Sequence, residues 1–441
     1  MRAQRNIIVI GAGVAGLAAA RYLASIGINV TVLEKNSYVG GRVRTTTNEK
    51  FKMDTGAGFM ANFYTHTRDL IQELGLETEV IPIHSAQALF KDGRLHRIWP
   101  CLPPVSLRSK LMFWKVVYRL AKHWRELNIH AIEDAYRLDT SSITDYLLQE
   151  EHVELLEHFV RPIVHSLLYA SPEKTSQAMM FLLLKAGLGM RRFTLRHGMG
   201  QFTEALANGL RVVKNGEVRR VEHNSLGGYS VVARIGEEES VLVADGIVCA
   251  VPATGVVSLF PWLTEKQVAF FKSISYSSTA VVSLGFRHRP LPHFDGVFFQ
   301  MGREGKGSLA AVTSMAAKNP VQVPRGHELL QLFAAGPTCN ALLKEDDSAL
   351  CYRLIADFQR TRLMNDVERH ALFYRVDRWP EAIPVFDVGH FGKLKAFADG
   401  GIETGHVVFA GDYIGGPFVE GAITSGLRAA QRLHTHFEAR D

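Results

Sequence analysis

Hydrophobic and polar residues in the first 35 positions follow the order strand, helix, strand. The apolar run at residues 7–10 predicts a buried strand, a glycine-rich segment follows at 11–16, and apolar positions at helical spacing continue to a stop at Gly27. A second apolar strand spans residues 29–34 and ends in an acid. This pattern predicts a βαβ unit at the start of the chain.

Further along the chain the period of the pattern changes twice. Residues 85–195 are mainly helical in pattern and include a helix-like run over 142–168, whereas residues 212–251 show the two-residue period of strands. Strand-like segments without helical spacers follow over 278–335, which favours an antiparallel sheet. At 441 residues, the chain exceeds the size at which one hydrophobic core usually keeps growing, so two domains are expected.

We therefore predict an α/β fold in which a Rossmann-type nucleotide-binding domain is interleaved with an α+β substrate domain that contains an antiparallel sheet. The nucleotide-binding domain is predicted to comprise residues 1–80, 197–255 and 372–441, and the substrate domain residues 81–196 and 256–371.

The glycines of the first turn indicate which ligand the βαβ unit binds. Gly11 permits the tight turn, Gly13 lets the backbone approach a pyrophosphate, and Gly16 lets the helix pack close to the strand. The helix N-terminus presents its free N–H groups to the anion. Glu34 ends the next strand 18 residues after Gly16, where its carboxylate can accept both hydroxyls of an adenosine ribose. These residues predict a dinucleotide site.

Two further motifs resemble one particular family. The first comprises Gly40-Gly41-Arg42 and the segment 54–58, where backbone must come close to a bulky ligand. The second lies near the other end of the chain, where an apolar strand at 407–410 ends in Gly411-Asp412 and a helix begins near Val419. With both motifs, the chain resembles the flavin amine oxidase superfamily, and within it most closely the protoporphyrinogen oxidase-like group. The resemblance implies a nucleotide-binding domain of the GR2 type and a bound FAD.

The resemblance also implies roles for individual residues. Arg42 would meet the pyrophosphate, Asp412 the ribityl or phosphate region, and the backbone near Val218 the adenine. The helix that begins near Val419 would point its positive end at the flavin pyrimidine, where a reduced flavin carries negative charge. Together with Gly11, Gly13, Gly16 and Glu34, the predicted cofactor-binding residues are Gly41, Arg42, Gly56, Ala57, Val218, Trp379, Gly411, Asp412, Val419 and Ala422.

The implied function is an FAD-dependent oxidoreductase that dehydrogenates a C–N or C–C bond of a bulky, mainly apolar or heterocyclic substrate by hydride transfer to the flavin. O2 or another acceptor would reoxidise the flavin. No cysteine lies in the segment 379–390, where some relatives attach the flavin covalently, so FAD is expected to be non-covalent. The alternatives within the superfamily are an amine oxidase acting on an amine or a cyclic imine precursor in biosynthesis, and a carotenoid-type desaturase. Outside it, they are a nicotinamide-dependent enzyme and a flavin-binding protein without activity.

Candidate residues for the substrate side of the site come from comparison with the family that the chain resembles. Monoamine-type oxidases place a lysine on a strand near the flavin, but the matching stretch, 274–283, contains only small hydroxyl residues and Tyr276 among its polar residues. An aromatic partner for Phe418 would fall near residues 388–389. No metal-ligand spacing is found, and no metal is predicted. The candidate pocket residues are Phe59, Tyr276, Trp379, His390 and Phe418.

Composition and charge limit the classes of partner and the cell compartment that are expected for the protein. The net charge is +6, but the basic residues are dispersed and no nucleic-acid motif is present, so nucleic acid is not expected as a partner. The four cysteines form no CxxC pair and are interpreted as reduced thiols of a cytoplasmic protein. Without 18 uninterrupted apolar residues, no membrane span is predicted. No sequence feature specifies an oligomeric state.

One basic stretch, residues 106–125, is predicted to form an amphipathic helix. We prefer to interpret it as a helix of the substrate domain whose basic face is solvated. The alternative is peripheral contact with an anionic membrane surface.

Overall fold

The computed structural model describes residues 5–98, 105–225, 227–288, 294–299, 307–336, 338–401 and 405–439. Cys101 lies outside these ranges, and the other three cysteines are free thiols in buried positions.

The strands within these ranges, in chain order, are β1 (Asn6–Ile10), β2 (Asn29–Glu34), β3 (Thr45–Asn48), β4 (Phe51–Asp54), β5 (Met60–Ala61), β6 (Val80–Pro82), β7 (Ala86–Lys91), β8 (Arg94–Arg97), β9 (Arg192–Leu195), β10 (Arg211–Lys214), β11 (Gly216–His223), β12 (Tyr229–Ile235), β13 (Glu238–Ala244), β14 (Gly246–Cys249), β15 (Tyr276–Phe286), β16 (Phe294–Phe299), β17 (Leu309–Ser314), β18 (Glu328–Ala334), β19 (Ala371–Pro384) and β20 (Val407–Phe409).

The α-helices are α1 (Val14–Ser25), α2 (Thr65–Glu73), α3 (Leu107–Lys122), α4 (Ile143–Gln149), α5 (Val153–Leu155), α6 (Arg161–Leu168), α7 (Gln177–Gly187), α8 (Gly200–Ala207), α9 (Ala253–Leu259), α10 (Glu265–Lys272), α11 (Met315–Lys318), α12 (Cys339–Leu342), α13 (Asp347–Gln359), α14 (Val367–His370), α15 (His390–Ala396), α16 (Asp412–Gly415) and α17 (Val419–Glu438).

A five-stranded parallel sheet forms the centre of the nucleotide-binding part, in the order β10-β2-β1-β14-β20. Its middle strands are almost continuously apolar and buried, as expected for a parallel sheet with both faces covered. Helices α1 and α17 cross on one face at Gly426, where an added Cβ would lie 2.1 Å from the Ala15 carbonyl oxygen. The two ends of the chain are therefore packed against each other.

The predicted return to the parallel sheet is observed. After β10, the antiparallel strands β11, β12 and β13 form a separate three-stranded sheet, and β14 then pairs in parallel with β1. This arrangement brings the start of β11 back beside the end of β2, the strand that carries Glu34.

A seven-stranded sheet forms the substrate part, in the order β19-β15-β18-β17-β16-β7-β8, and all of its pairs are antiparallel except β16 with β7. The α/β fold class with a parallel sheet and an antiparallel-type sheet is thus confirmed. Two segments differ from expectation. Strands β7 and β8 lie in a region expected to be mainly helical, and β19 pairs with β15 although residues from 372 onwards were assigned to the nucleotide-binding domain.

The predicted helical run over 142–168 is broken into shorter pieces. Helix α4 ends at Gln149, and Glu151 adopts a positive φ of 58° before α5 begins. The next stretch continues through α6 to Tyr169, which also has a positive φ of 52°. Apolar spacing on either side of a break looks the same as that of one helix, so the periodicity did not reveal the interruption.

Candidate active site

A cavity of about 1920 Å³ lies between the five-stranded parallel sheet and the seven-stranded sheet. A pocket for one small ligand usually has roughly 300–1,000 Å³, so this cavity has room for a large cofactor and a substrate together. One part is lined by the glycine turns at both ends of the chain, and the other by apolar side chains of α3, α6 and α7.

The turn between β1 and α1 leaves an open place for an anion. Gly11 has a φ of 100°, and a Cβ on Gly16 would lie 2.0 Å from the Gly11 carbonyl oxygen, so both glycines are required by the fold itself. Gly13 has a φ of −70°, and an added Cβ would meet nothing within 4 Å. The space over Gly13 belongs to the cavity and faces the N-terminus of α1, as a pyrophosphate requires.

Glu34 lies at the cavity wall with its carboxylate held by the neighbouring backbone. One oxygen accepts the Ala12 N–H at 2.8 Å, and the other accepts the backbone N–H of Asn36 at 2.9 Å. The side-chain amide of Asn36 also donates to this second oxygen, at 2.6 Å. A carboxylate has about four acceptor positions, so about one remains for a ribose hydroxyl. Val218 lines the same end of the cavity.

Arg42 connects the N-terminal and C-terminal parts of the cavity. Its guanidinium forms an ion pair with Asp412 at 2.7 Å and donates to the Ala382 carbonyl oxygen at 2.9 Å. Burial opposes the charged form of Arg42, but Asp412 outweighs it and the pKa of the arginine is raised. Arg42 therefore carries its positive charge at the cavity wall at every physiological pH.

The loop after β4 follows the backbone of Arg42. A Cβ on Gly56 would lie 2.0 Å from the Arg42 carbonyl oxygen, and that oxygen accepts the Ala57 N–H at 2.9 Å. The indole N–H of Trp379 donates to the Thr55 carbonyl oxygen. These contacts hold Ala57 and Trp379 at the cavity surface.

The C-terminal segment supplies a helix end without a side-chain cap. The Gly411 N–H is bound by the Ser425 hydroxyl at 2.9 Å, and the N-cap of α17, Phe418, offers no side-chain acceptor. The first N–H groups of α17 are therefore available beside Val419 and Ala422, which line the cavity. A 20-residue helix gives this end a partial positive charge, suited to an anionic ligand edge.

The structure brings most of the predicted cofactor residues together, although no contact with a cofactor is tested. Gly16 does not line the cavity and acts through helix packing. The predicted residues that line it are Gly11, Gly13, Glu34, Gly41, Arg42, Gly56, Ala57, Val218, Trp379, Gly411, Asp412, Val419 and Ala422.

Among the predicted pocket residues, Phe59, Trp379 and Phe418 line the cavity, but Tyr276 and His390 do not. The Tyr276 ring lies behind Arg42, 5.7 Å from its guanidinium carbon, and its hydroxyl accepts the Ala253 N–H. His390 is fully packed in the core. The predicted roles of these two residues at the substrate face are therefore corrected to positions behind the cavity wall.

His390 and His165 are buried, and burial lowers the pKa of each to about 4. A histidine in the unfolded chain has a pKa of about 6.5. Between pH 6.5 and 4 the unfolded chain therefore binds more protons than the folded protein, so stability is lost as pH falls through this window. A shift of this size corresponds to about 3 kcal/mol for each histidine at pH 4.

We expect the free energy of unfolding, measured by urea titration, to fall steeply between pH 6.5 and 4. His165→Gln should flatten this dependence relative to the native protein. The control is His370→Gln, at an exposed histidine, which should leave the slope unchanged. If the free energy of unfolding depended on pH equally in His165→Gln and in the native protein, the lowered pKa assigned to His165 would be contradicted.

Several residues at the cavity were not predicted. Phe63 and Tyr64 follow the Phe59 loop and pack edgewise or tilted against Phe418, at centroid distances of 6.0 and 6.2 Å. They replace the partner that was expected near residues 388–389, which does not line the cavity. Two adjacent aromatic residues directly after a cofactor loop were the signal that could have identified them.

Lys318 is another unpredicted residue. Its ammonium is buried 3.8 Å from a carboxylate oxygen of Asp54, and a Cβ on Gly58 would lie only 2.8 Å from its Nζ atom. Burial lowers the pKa of Lys318. It lies beneath the loop that lines the cavity, and its neighbours in the sequence do not distinguish it from a surface lysine.

The substrate end of the cavity is apolar, with cations at its edge. Arg97 and Arg191 line the cavity, are exposed, and have no ion-pair partner within the described residues. Thr279 also lines it, and its hydroxyl donates to the Ala334 carbonyl oxygen at 2.6 Å. The apolar lining residues include Phe113, Val116, Leu120, Phe159, Ile163, Leu167, Met180, Leu183 and Leu184.

One group of possible metal ligands occurs in the described ranges, formed by His66, His130 and Glu420. The Glu420 carboxylate is fully buried and accepts the backbone N–H groups of His66 and Thr67 at 2.8 and 2.9 Å. Glu420 thus satisfies the N-terminus of α2, and the histidines surround this cap. These contacts account for the cluster as part of the packing between α2 and α17.

The fold and the cavity define the class of protein as one with a dinucleotide-type βαβ turn that opens on a large, mainly apolar cavity. The model of the family described as "Flavin containing amine oxidoreductase" matches residues 14–434. The chain belongs to this family and is an FAD-dependent oxidase. Among the described residues no cysteine lines the cavity, which is consistent with non-covalent FAD.

Three similar proteins cover almost the whole chain. The chain is 21% identical over 434 residues to "Coproporphyrinogen III oxidase" of Bacillus subtilis (strain 168), covering 89% of this chain and 90% of that protein. It is 21% identical over 488 residues to "Protoporphyrinogen oxidase 2, chloroplastic/mitochondrial" of Arabidopsis thaliana, covering 99% and 95%. The crystal structure of a putative protoporphyrinogen oxidase from Exiguobacterium sp. 255-15 has a TM-score of 0.76 and 19% identity and covers 99% of this chain and 100% of that chain. This last likeness shows the fold.

Proposed function

We propose that the protein oxidises a porphyrinogen, a large and mainly apolar tetrapyrrole with carboxylate side chains. The observation that carries the proposal is the shape and chemistry of the cavity beyond the predicted flavin site. Its walls are apolar side chains from α3, α6 and α7, and Arg97 and Arg191 lie at its edge. An apolar cavity accepts the macrocycle, and guanidinium groups pair with carboxylates. Two of the relatives are named for porphyrinogen oxidation.

FAD supplies the chemistry of the reaction, because a bound flavin accepts a hydride from a C–H bond of the substrate. The chain would hold the isoalloxazine end with Ala57, Trp379 and the N-terminus of α17. Phe59 and Phe418 would contact the substrate and orient it. The apolar walls would exclude water, and no side-chain base is needed in this arrangement. O2 is the proposed acceptor that reoxidises the flavin.

A second candidate is amine oxidation, which the aromatic residues around Phe418 favour. Phe63 and Tyr64 lie close enough to Phe418 to form an apolar site for a small substrate. However, Thr279 lies on the strand where monoamine-type relatives place a lysine, and its hydroxyl is bound to backbone. The volume of the cavity and its two arginines favour the larger anionic substrate.

Anaerobic mixing of the FAD-loaded protein with reduced substrates distinguishes the two candidates. We expect coproporphyrinogen III or protoporphyrinogen to bleach the flavin absorbance band. When O2 is admitted, a fluorescent porphyrin should form faster than in the same mixture without protein, because porphyrinogens also react slowly with O2 alone. Putrescine and benzylamine should leave the band unchanged. Bleaching by an amine and not by either porphyrinogen would reject the proposal while leaving the flavin assignment intact.

Steady-state turnover of the porphyrinogen in the presence of O2 tests the arginines at the edge of the cavity. Arg97→Gln and Arg191→Gln should each raise KM for the porphyrinogen roughly tenfold with little change in kcat, since a charge-assisted hydrogen bond to an exposed arginine contributes about 1.5 kcal/mol. Arg94→Gln is the matched control, because Arg94 is exposed on the same strand as Arg97 but does not line the cavity. An equal rise in KM for Arg94→Gln would show that only the overall charge matters.

A further inference from the structure

Helix α6, in the apolar wall of the cavity, is irregular at both ends. Like every other helix in the described ranges, it is not long and apolar enough to cross a membrane. It follows α5 through one π-helical turn, Leu156–Val160, and Phe159 and Val160 of this turn line the cavity. It ends at Tyr169, which has a φ of 52° and also lines the cavity. Both irregularities fall on cavity-lining residues, and such features are often kept at functional sites.

The left-handed backbone of Tyr169 points to a role for its side chain. A glycine adopts this conformation freely, whereas a bulky aromatic residue there is a genuine outlier. The Tyr169 ring stacks on Phe333, with a centroid distance of 6.4 Å and an angle of 14° between the rings, and it packs on Ala310 and Ala335. This packing accounts for an aromatic ring at the position, but it gives no reason for the hydroxyl.

The Tyr169 hydroxyl differs from the two other hydroxyls that reach the same part of the cavity wall. The Ser166 hydroxyl donates to the Ala310 carbonyl oxygen at 3.0 Å, and the Thr279 hydroxyl donates to the Ala334 carbonyl oxygen at 2.6 Å. The Tyr169 hydroxyl has no hydrogen-bond partner in the part of the chain that the structure describes. Burial within the wall raises the pKa of Tyr169, so the hydroxyl stays protonated. Because an unpaired polar group away from bulk water is unfavourable, a partner is expected in the cavity.

A porphyrinogen carries a group that fits this hydroxyl. The carbon atoms that join its pyrroles are tetrahedral, so the macrocycle is not planar and its N–H groups can turn towards one face. In a porphyrin the macrocycle is flat, and the remaining N–H groups lie inside the ring. A phenol oxygen on the cavity wall can therefore accept an N–H from the reduced macrocycle but not from the oxidised one.

We propose that the Tyr169 hydroxyl accepts a pyrrole N–H of a bound porphyrinogen and so makes the site prefer the reduced substrate to the oxidised product. The inference rests on the proposed function, and it adds a contact at the centre of the macrocycle to the carboxylate contacts of Arg97 and Arg191. The left-handed backbone and the stacking on Phe333 hold the phenol in place before the substrate arrives. The contact breaks no hydrogen bond within the described protein.

Equilibrium dialysis under nitrogen tests this contact without turnover. The FAD-loaded protein is first reduced with dithionite and freed of excess reductant, so that coproporphyrinogen III binds but cannot transfer a hydride. Bound ligand is then oxidised and measured by porphyrin fluorescence. Tyr169→Phe should weaken the binding of coproporphyrinogen III about fivefold, the effect of losing one neutral hydrogen bond, and should leave the binding of coproporphyrin III unchanged.

Tyr352→Phe is the matched control, because it removes a hydroxyl from an exposed tyrosine on α13 that does not line the cavity. It should bind both ligands as the native protein does. The flavin absorbance spectrum and the melting temperature of each variant show whether it has folded. Tyr169→Phe keeps the ring that stacks on Phe333, so both are expected to match those of the native protein.

Unchanged binding of coproporphyrinogen III to Tyr169→Phe would overturn the proposal. So would an equal weakening for both ligands, because the substitution would then act only through the shape of the cavity, or the same weakening in Tyr352→Phe. A native protein that binds neither ligand would reject both this proposal and the proposed function. Binding that depends on the Tyr169 hydroxyl, in a protein whose oxidised flavin no porphyrinogen bleaches, would support the contact and reject only the proposed function.

Discussion

Gly13→Val is expected to give a folded protein that is colourless and inactive. The site over Gly13 is open, with no protein atom within 4 Å of an added Cβ, and its φ of −70° is accessible to any L-residue. A valine there would fill the place of the pyrophosphate and remove hydrogen bonds from the N-terminus of α1. Two such bonds to a charged group contribute about 3 kcal/mol or more, so FAD affinity should fall at least 100-fold.

The measurement is the flavin-to-protein absorbance ratio after purification, followed by titration of the apoprotein with FAD. Gly16→Val is the informative comparison, because its Cβ would lie 2.0 Å from the Gly11 carbonyl oxygen whether or not FAD is bound. That variant should lose stability as well as colour. A yellow Gly13→Val protein with native FAD affinity would contradict the placement of the cofactor.

Arg42→Met has the second largest expected effect. Asp412, which is only 9% exposed, would lose its ion-pair partner. The Ala382 carbonyl oxygen would lose the hydrogen bond that Arg42 donates. Removing one member of a buried pair costs about 3 kcal/mol of stability, and the cofactor also loses the cation predicted to meet its pyrophosphate. We expect a lower melting temperature and about 100-fold weaker FAD binding, if the lost contact with the pyrophosphate contributes about 3 kcal/mol.

The double variant Arg42→Met/Asp412→Asn separates the two effects. It restores electroneutrality, so thermal stability should recover in part while FAD binding stays weak. Thermal unfolding followed by circular dichroism, with and without added FAD, measures both quantities. Full recovery of FAD affinity in the double variant would show that Arg42 acts only by neutralising Asp412.

The cofactor end of the site was largely predictable from the sequence because its chemistry depends on local backbone geometry. A tight turn, a helix N-terminus or a strand-terminal acid has a sequence signature within a few residues, as at Gly11 and Glu34. The C-terminal motif around Gly411 has the same property. The pairing of Arg42 with Asp412 could not be derived in this way, because it depends on how distant segments approach.

The substrate end was less predictable because it depends on which side of an element each residue faces. In the sequence, Tyr276 and His390 lie close to residues that line the cavity, but in the structure their side chains lie behind its wall. Lys318 comes from a segment that has no motif. Strands β7 and β8 also join a sheet made otherwise from residues 276–384, a pairing that local periodicity does not encode. Most of the differences between the predicted and the observed structure therefore arise from which distant strands pair and in which register.

The crossing of α1 with α17 at Gly426 has a consequence for the order of assembly. Strand β20, the loop that carries Asp412 and the start of α17 are far from the first strand along the chain, yet the site needs all of them together. The glycine turn of the βαβ unit alone is therefore an incomplete site. Loading of the cofactor must wait until α17 has docked on α1.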